Sequence, residues 1–351
     1  MRKVFYIAGL LMFVGVIHSC HPDDKKSVPY NPTPYTLQYP SYVDSAFGSP
    51  SIPADNLLTR QGVALGRRLF FEKMLSGDGT MSCARCHEPA NAFDDTARFS
   101  HGITGALGTR NAMAVVNLAW GTTFFWDGRT NTLEGQAHDP VTNPVEMNTT
   151  WPEVVSRLQQ DVNYPALFYS AFGTYTIDST LVTKAIAQFE RTLISFNSAY
   201  DKYAILGTGT LTTQQAHGLE LFQAFNCSKC HTLGLFTDNT LRNNGLETVP
   251  SDSGLAKFTH LPTDYGKFKV PTLRNIARTA PYMHDGRFKS LEEIVNFYTM
   301  GVHQASPNLD SNMHFYATAH AMNAQDRLDL VAFLESLTDS TFLSNPDFSR
   351  P

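Results

Sequence analysis

Cys83-Ala84-Arg85-Cys86-His87 and Cys227-Ser228-Lys229-Cys230-His231 are two copies of one pattern, C-x-x-C-H, in a chain of 351 residues. Thiols three apart on one helical turn reach the two vinyl groups of one porphyrin, and the adjacent histidine brings its imidazole beneath the iron. A lone C-x-x-C also fits a redox disulfide or half of a zinc site. Two copies, each closed by a histidine, point to covalent attachment of two c-type haems, with His87 and His231 as proximal iron ligands.

The residues around the motifs form an internal repeat. Gly66-Arg67-Arg68-Leu69-Phe70 precedes the first cysteine pair and Gly218-Leu219-Glu220-Leu221-Phe222 the second, so each motif is expected to follow a helix. Helical periodicity dominates, with long loops rich in glycine and proline and no series of alternating strands. The expected fold is mostly α: two cytochrome c-like helical domains, each with one covalently bound c-type haem, over 52–206 and 207–340, with a tail over 341–351.

The chain also carries the marks of export. Arg2 and Lys3 open it, and an apolar run from Val4 to Ile17 is too short for a comfortable membrane span, so 1–19 reads as a signal peptide. Ser19-Cys20 resembles a lipoprotein cleavage box, which makes Cys20 a lipidated first residue and its lipid the only membrane contact. The expected location is the periplasm or the outer membrane. Pro29, Pro32, Pro34 and Pro40 mark 20–51 as a tether. With Cys20 set aside, the five cysteines leave two motif pairs. A net charge of −5 gives no basic field for a phosphate backbone, which argues against nucleic acid as a partner.

What lies opposite each histidine separates electron carriage from catalysis, because only an iron with an open position binds peroxide. Downstream of the second motif, Ser290-Leu291-Glu292-Glu293 opens a helix whose apolar residues Leu291, Ile294, Val295 and Tyr298 share one face. Met300 falls on the opposite side, and Gly301 ends the helix. Tyr298 is therefore favoured over Met300 as the residue aimed at the second haem, a plain core tyrosine being the alternative.

Further stretches carry a family resemblance: Leu75-Ser76-Gly77-Asp78, Arg110-Asn111, Phe125-Trp126-Asp127-Gly128-Arg129, Asn143-Pro144-Val145-Glu146-Met147 and Ala280-Pro281-Tyr282-Met283-His284-Asp285-Gly286. From about Ile52 to Leu337 the chain resembles the bacterial diheme cytochrome c peroxidase and MauG superfamily. The resemblance implies a peroxidatic haem on Cys83, Cys86 and His87, Glu146 as distal acid and base, and Trp126 as an aromatic relay between the haems. It implies one calcium ion on Asn111, Thr279 and Pro281, and it sets His101 where a removable distal histidine stands, a lone loop histidine being the alternative. No catalytic role falls to His284. Tyr298 stands where classical peroxidases have a methionine, as in the MauG branch. A phenolate is a harder donor than a thioether and favours ferric iron. The expected activity is reduction of hydrogen peroxide with electrons from a small cytochrome c, or alternatively oxidation of a protein or small-molecule substrate by peroxide. The oligomeric state stays open, a homodimer included.

Overall fold

The computed structural model describes Met1 and residues 29–314 and 322–351. The signal segment and Cys20 lie outside the described residues. After a first helix α1 (Tyr42–Phe47), the first unit is built from α2 (Arg60–Phe70), α3 (Leu133–Thr142), α4 (Trp151–Gln160), α5 (Tyr164–Phe172) and α6 (Ser179–Glu190). Their starts are chemically marked. Thr59 and Asp178 accept from the backbone N–H groups of Gly62 and Leu181, and Thr150 with Glu153 forms a capping box.

The second unit begins with α7 (Thr213–Ala224), capped by Thr212 and Gln215. A two-residue antiparallel ribbon follows, β1 (Leu241–Arg242) on β2 (Phe268–Lys269), with short helices α8 (Ala256–Thr259) and α9 (Leu291–Asn296). The chain then runs through α10 (Ala324–Glu335) and α11 (Ser340–Leu343). The helix expected to end at Gly301 is α-helical only to Asn296, and Phe297–Gly301 forms a π turn that completes it.

The repeat read in the sequence is a repeated helix crossing. A Cβ on Gly66 would lie 1.8 Å from the Ala185 carbonyl oxygen of α6, and one on Gly218 would lie 2.0 Å from that of Asp329 in α10. Only glycine lets the backbones approach so closely. Aromatic rings fill in below each crossing in matching order: Phe70 meets Phe189 at 5.4 Å and Phe93 at 5.8 Å, while Phe222 meets Phe333 at 5.2 Å and Phe236 at 6.0 Å.

The ends of the chain are packed rather than loose. Of the stretch expected to be a tether, residues 29–51 fold against the body: Val43 is fully buried, Phe47 stacks on Phe196, and Trp120 Nε1 donates to Gly48 O at 2.9 Å. No proline falls between Ser41 and Ser49, so α1 has room to form, and its apolar residues find a partner surface. The tail closes on the first unit, with Phe342 and Phe348 against Phe93 and Arg67 donating to the carbonyls of Pro346 and Ser349. Between the units, Arg274 makes a two-pronged ion pair with Asp201 at 2.8 Å for both contacts, and both side chains are fully buried. Removing one partner would strand a buried charge, so this pair ties the geometry of the two halves together.

Candidate functional site

Both C-x-x-C-H motifs form the same local structure. Cys83–Arg85 and Cys227–Lys229 are single 3-10 turns, and the histidine that follows bonds back to the first cysteine: His87 N to Cys83 O at 3.0 Å, His231 N to Cys227 O at 2.9 Å. His87 Nδ1 lies 3.0 Å from Phe93 O, and His231 Nδ1 lies 3.1 Å from Phe236 O and 3.1 Å from Pro271 O. A carbonyl only accepts, so Nδ1 carries the proton in each ring and Nε2 keeps its lone pair for a metal. Burial lowers the pKa of both imidazoles, which holds them neutral, the form that ligates. Phe93 and Phe236, whose carbonyls orient the rings, both sit at positive φ, 59° and 55°.

The donor set fits covalent haem better than the alternatives. Burial pushes the Cys83 thiol up to about 12 and that of Cys230 up to about 11, the reverse of a reactive redox pair. No disulfide joins the motif cysteines, and among the described residues no three His, Cys, Asp or Glu side chains gather as a zinc site requires. Above the second motif opens a cavity walled by Cys227, Cys230, His231, Leu235, Met283, Met313 and Tyr298, which places both cysteines and the histidine of the motif on one largely apolar wall, as a covalently attached porphyrin requires.

Tyr298 joins the cavity wall, where Asn244 Nδ2 donates to its hydroxyl at 3.0 Å. Burial pushes its hydroxyl up to about 12, so a phenolate forms there only against a compensating cation. Met300 is 70% exposed on the outer side. Of the two candidates, the tyrosine is the one brought to the second centre. Asn244 had no signal in the sequence, since it is 54 residues from the hydroxyl it holds.

At the first centre, Glu146 is held from two sides. Asn143 Nδ2 donates to its Oε1 at 2.6 Å, and its own carbonyl accepts from Ile103 N at 3.0 Å. A Cβ on Gly102 would lie 2.1 Å from Val145 O, so the loop after His101 lies directly on the Glu146 loop. Burial, the main cause, raises the pKa of Glu146 above the ordinary carboxyl range. Its charge is among those felt by both Cys83 and Cys86, which puts the carboxyl in the neighbourhood of the first motif. His101 heads the same loop in an isolated bridge with Leu107, and its side chain is exposed.

Trp126 stands in the wall of the cavity together with Asn111, Thr279 and Pro281. Its Nε1 donates to Asn111 O at 2.9 Å, and Asn111 N donates to His284 O at 2.8 Å. The His284 ring meets Trp126 edge-on at 6.5 Å and stacks on Phe268 at 3.7 Å. Next to this stack, Arg110 bridges Asp127 and Asp252, the latter at 2.7 and 2.8 Å. Sequence reasoning missed this support: Arg110-Asn111 was visible as a motif, but its tie to Asp252 is 142 residues long. It also missed Lys269, buried in the same wall and donating to Thr123 O, where burial alone brings its pKa down to about 8.

Comparison with known proteins finds two family models along the chain. Residues 60–208 match the family model for di-haem cytochrome c peroxidase, and residues 215–338 match that for cytochrome c, so each motif lies in its own haem-binding match. The methylamine utilization protein MauG of Methylorubrum extorquens is 39% identical over 295 residues, spanning 81% of this chain and 80% of that one. Cytochrome-c peroxidase IdrP1 of a Pseudomonas species is 32% identical, with 86% of each chain covered. A crystal structure of a MauG-like protein associated with microbial copper homeostasis superimposes with a TM-score of 0.83 at 33% identity, over 90% of this chain and 99% of that one. With two c-type haem sites on a shared two-unit helical fold, the chain belongs to the di-haem cytochrome c peroxidase and MauG family.

Proposed function

We propose that this peroxidase reduces hydrogen peroxide to water at the first centre, on Cys83, Cys86 and His87, with electrons arriving through the second centre and the Trp126 wall. The observation that carries this reading is Glu146: a half-buried carboxyl with a raised pKa, gripped by Asn143, near the cysteines of the first motif. A c-type haem held by Cys83, Cys86 and His87 would supply peroxide binding and electron transfer. The residues do the rest. Cleaving the O–O bond requires a proton to leave the inner oxygen and reach the outer one, and Glu146 is placed to take and return it. Its raised pKa brings it nearer to neutral pH, where a proton shuttle works best. Asn143 fixes Oε1 and so leaves Oε2 for the substrate. His101, on the loop seated over Glu146, acts as the removable ligand in this reading. Calcium on Asn111, Thr279 and Pro281 would stiffen the wall between the centres, by oxygen ligands suited to that cation.

Glu146→Gln tests the assignment. The amide keeps the hydrogen-bonding shape and cannot shuttle a proton, so peroxide consumption with ferrous cytochrome c should fall about 10²–10⁴-fold while haem loading is unchanged. Undiminished turnover would refute it.

A second reading, oxidation of a protein or small-molecule substrate by peroxide, draws on one observation: Tyr298 rather than Met300 faces the second centre. It predicts that the ferric protein, given peroxide alone, enters a long-lived oxidised state and leaves ferrous cytochrome c largely unoxidised. Export, with a lipid on Cys20, completes the proposal. Among the described residues no helix is long and apolar enough to cross a membrane.

A further inference from the structure

Away from the two centres and Trp126, another oxidisable side chain reaches the cavity. Trp120 lines it, is 7% exposed, and is pinned by its Nε1 donating to Gly48 O. Tyr39 stands against it edge-on, with ring centroids 5.1 Å apart and 80° between planes. The Tyr39 hydroxyl donates to Asp44 Oδ1 at 3.0 Å, and Asp44 is exposed on α1. The N-terminal segment thus brings a tryptophan at the cavity, a tyrosine and a surface carboxylate into one line.

The carboxylate matters because a phenol loses an electron easily only if its proton leaves with it. Tyr42, three residues on, provides the contrast within the same cluster. Its hydroxyl is buried without a hydrogen-bond partner among the described residues, and burial raises its pKa, so it has nowhere to send a proton. Tyr39 alone combines ring contact with Trp120 and a base at hydrogen-bond distance.

We propose that Trp120 and Tyr39 form a second outlet for oxidising equivalents, at which small phenols or aromatic amines are oxidised one electron at a time, with Asp44 holding the Tyr39 proton. The inference rests on the peroxide reading above, since peroxide is the oxidant. Trp120, having lost one electron, takes one from Tyr39, whose proton passes to Asp44. An external phenol then gives an electron to Tyr39 while Asp44 returns the proton, and the phenol leaves as its phenoxyl radical with its own proton passing to solvent. Each peroxide accepts two electrons and two protons and becomes two waters, so two phenols are consumed per peroxide.

The test uses the full haem-loaded chain, hydrogen peroxide and 4-methoxyphenol, with a nitroso spin trap and peptide mapping in parallel. Tyr39→Phe keeps the ring and its packing on Trp120, so a loss cannot be blamed on the fold. The expected result is a trap adduct on Tyr39 and phenol oxidation slowed about tenfold in Tyr39→Phe and in Trp120→Phe. Tyr42→Phe should leave the rate unchanged. Asp44→Asn should slow it and make it rise with the concentration of added buffer base, which a merely structural role would not do. Peroxide consumption with ferrous cytochrome c is followed in the same samples. If it proceeds while Tyr39 carries no adduct, or phenol oxidation survives in Tyr39→Phe, the outlet does not exist. If the wild-type protein consumes no peroxide with either donor, the peroxide reading fails first and this inference falls with it.

Discussion

The two halves of the molecule share a frame and differ in what they hang on it. Each places glycine at a helix crossing, a phenylalanine pair beneath it, and a carbonyl at positive φ that orients the proximal histidine: Gly66, Phe70, Phe189 and Phe93 in one, Gly218, Phe222, Phe333 and Phe236 in the other. Beyond that frame the halves part company. The first holds a half-buried carboxyl, Glu146, with a raised pKa near its motif, and the second a tyrosine steadied by Asn244. A frame that only has to hold a haem can be repeated, whereas the open side sets what the iron does and must differ.

Replacing Tyr298 tests that division most forcefully. If Tyr298 ligates as proposed, Tyr298→Met replaces a hard oxygen donor by a soft, neutral thioether, so the reduction potential of the second haem should rise by on the order of a few hundred millivolts. The first haem, whose surroundings are untouched, should keep its potential. Spectroelectrochemical titration reads both. Equal shifts at both haems, or none, would mean that Tyr298 is not the residue that sets the second centre apart.

The shared frame can be broken one half at a time. Gly66→Ala drives a methyl into the Ala185 carbonyl and Gly218→Ala into that of Asp329, backbone atoms that cannot swing aside. Each should cost about 1–3 kcal/mol or more. Because each crossing braces its own motif, the first variant should lose haem mainly from Cys83–Cys86 and the second from Cys227–Cys230. Pyridine haemochrome assays on the separated peptides would check this. Loss of both haems in either variant would mean that the halves fold as one unit, through the Arg274–Asp201 pair.

How much of this was legible in the sequence follows from distance along the chain. The cysteine motifs, the glycine repeat and the Tyr298 face are local patterns with a fixed spacing, and the structure builds them as the spacing implies. Met300 was separable from Tyr298 for the same reason, half a helical turn being enough to turn one inward and the other out. The contacts that steady the site are long-range and left no local trace: Asn244 to Tyr298, Arg110 to Asp252, and the tail to Phe93. The same holds for residues 29–51, whose prolines suggested a tether. What decides their fate is the apolar surface around Trp120 and Phe196, contributed by chain more than seventy residues away.

The smallest expected effect comes from a break in the repeated core. Glu190 ends α6 one residue after Phe189, and the matching place after Phe333 in α10 is Leu334. Both sites are buried, yet Glu190 Oε2 has no hydrogen-bond partner among the described residues, because Arg191 is committed to Glu134 at 2.8 and 3.1 Å. Burial first, with Glu134 adding to it against Arg191, pushes Glu190 from its ordinary value of 4.5 up to about 8. A carboxyl whose pKa is raised by folding binds more protons folded than unfolded. Its contribution is therefore complete below about pH 4.5 and is lost as pH rises towards 8. Glu190→Gln removes that dependence. Between pH 5 and 9 the wild type should lose at least about 1.4 kcal/mol relative to the variant, the equivalent of one pKa unit. Urea melts at the two pH values, followed by the absorbance of the first haem, measure the difference. Parallel pH dependence in the two proteins would show that Glu190 is ionised and compensated in its pocket, and that the first half tolerates a charge where the second uses leucine.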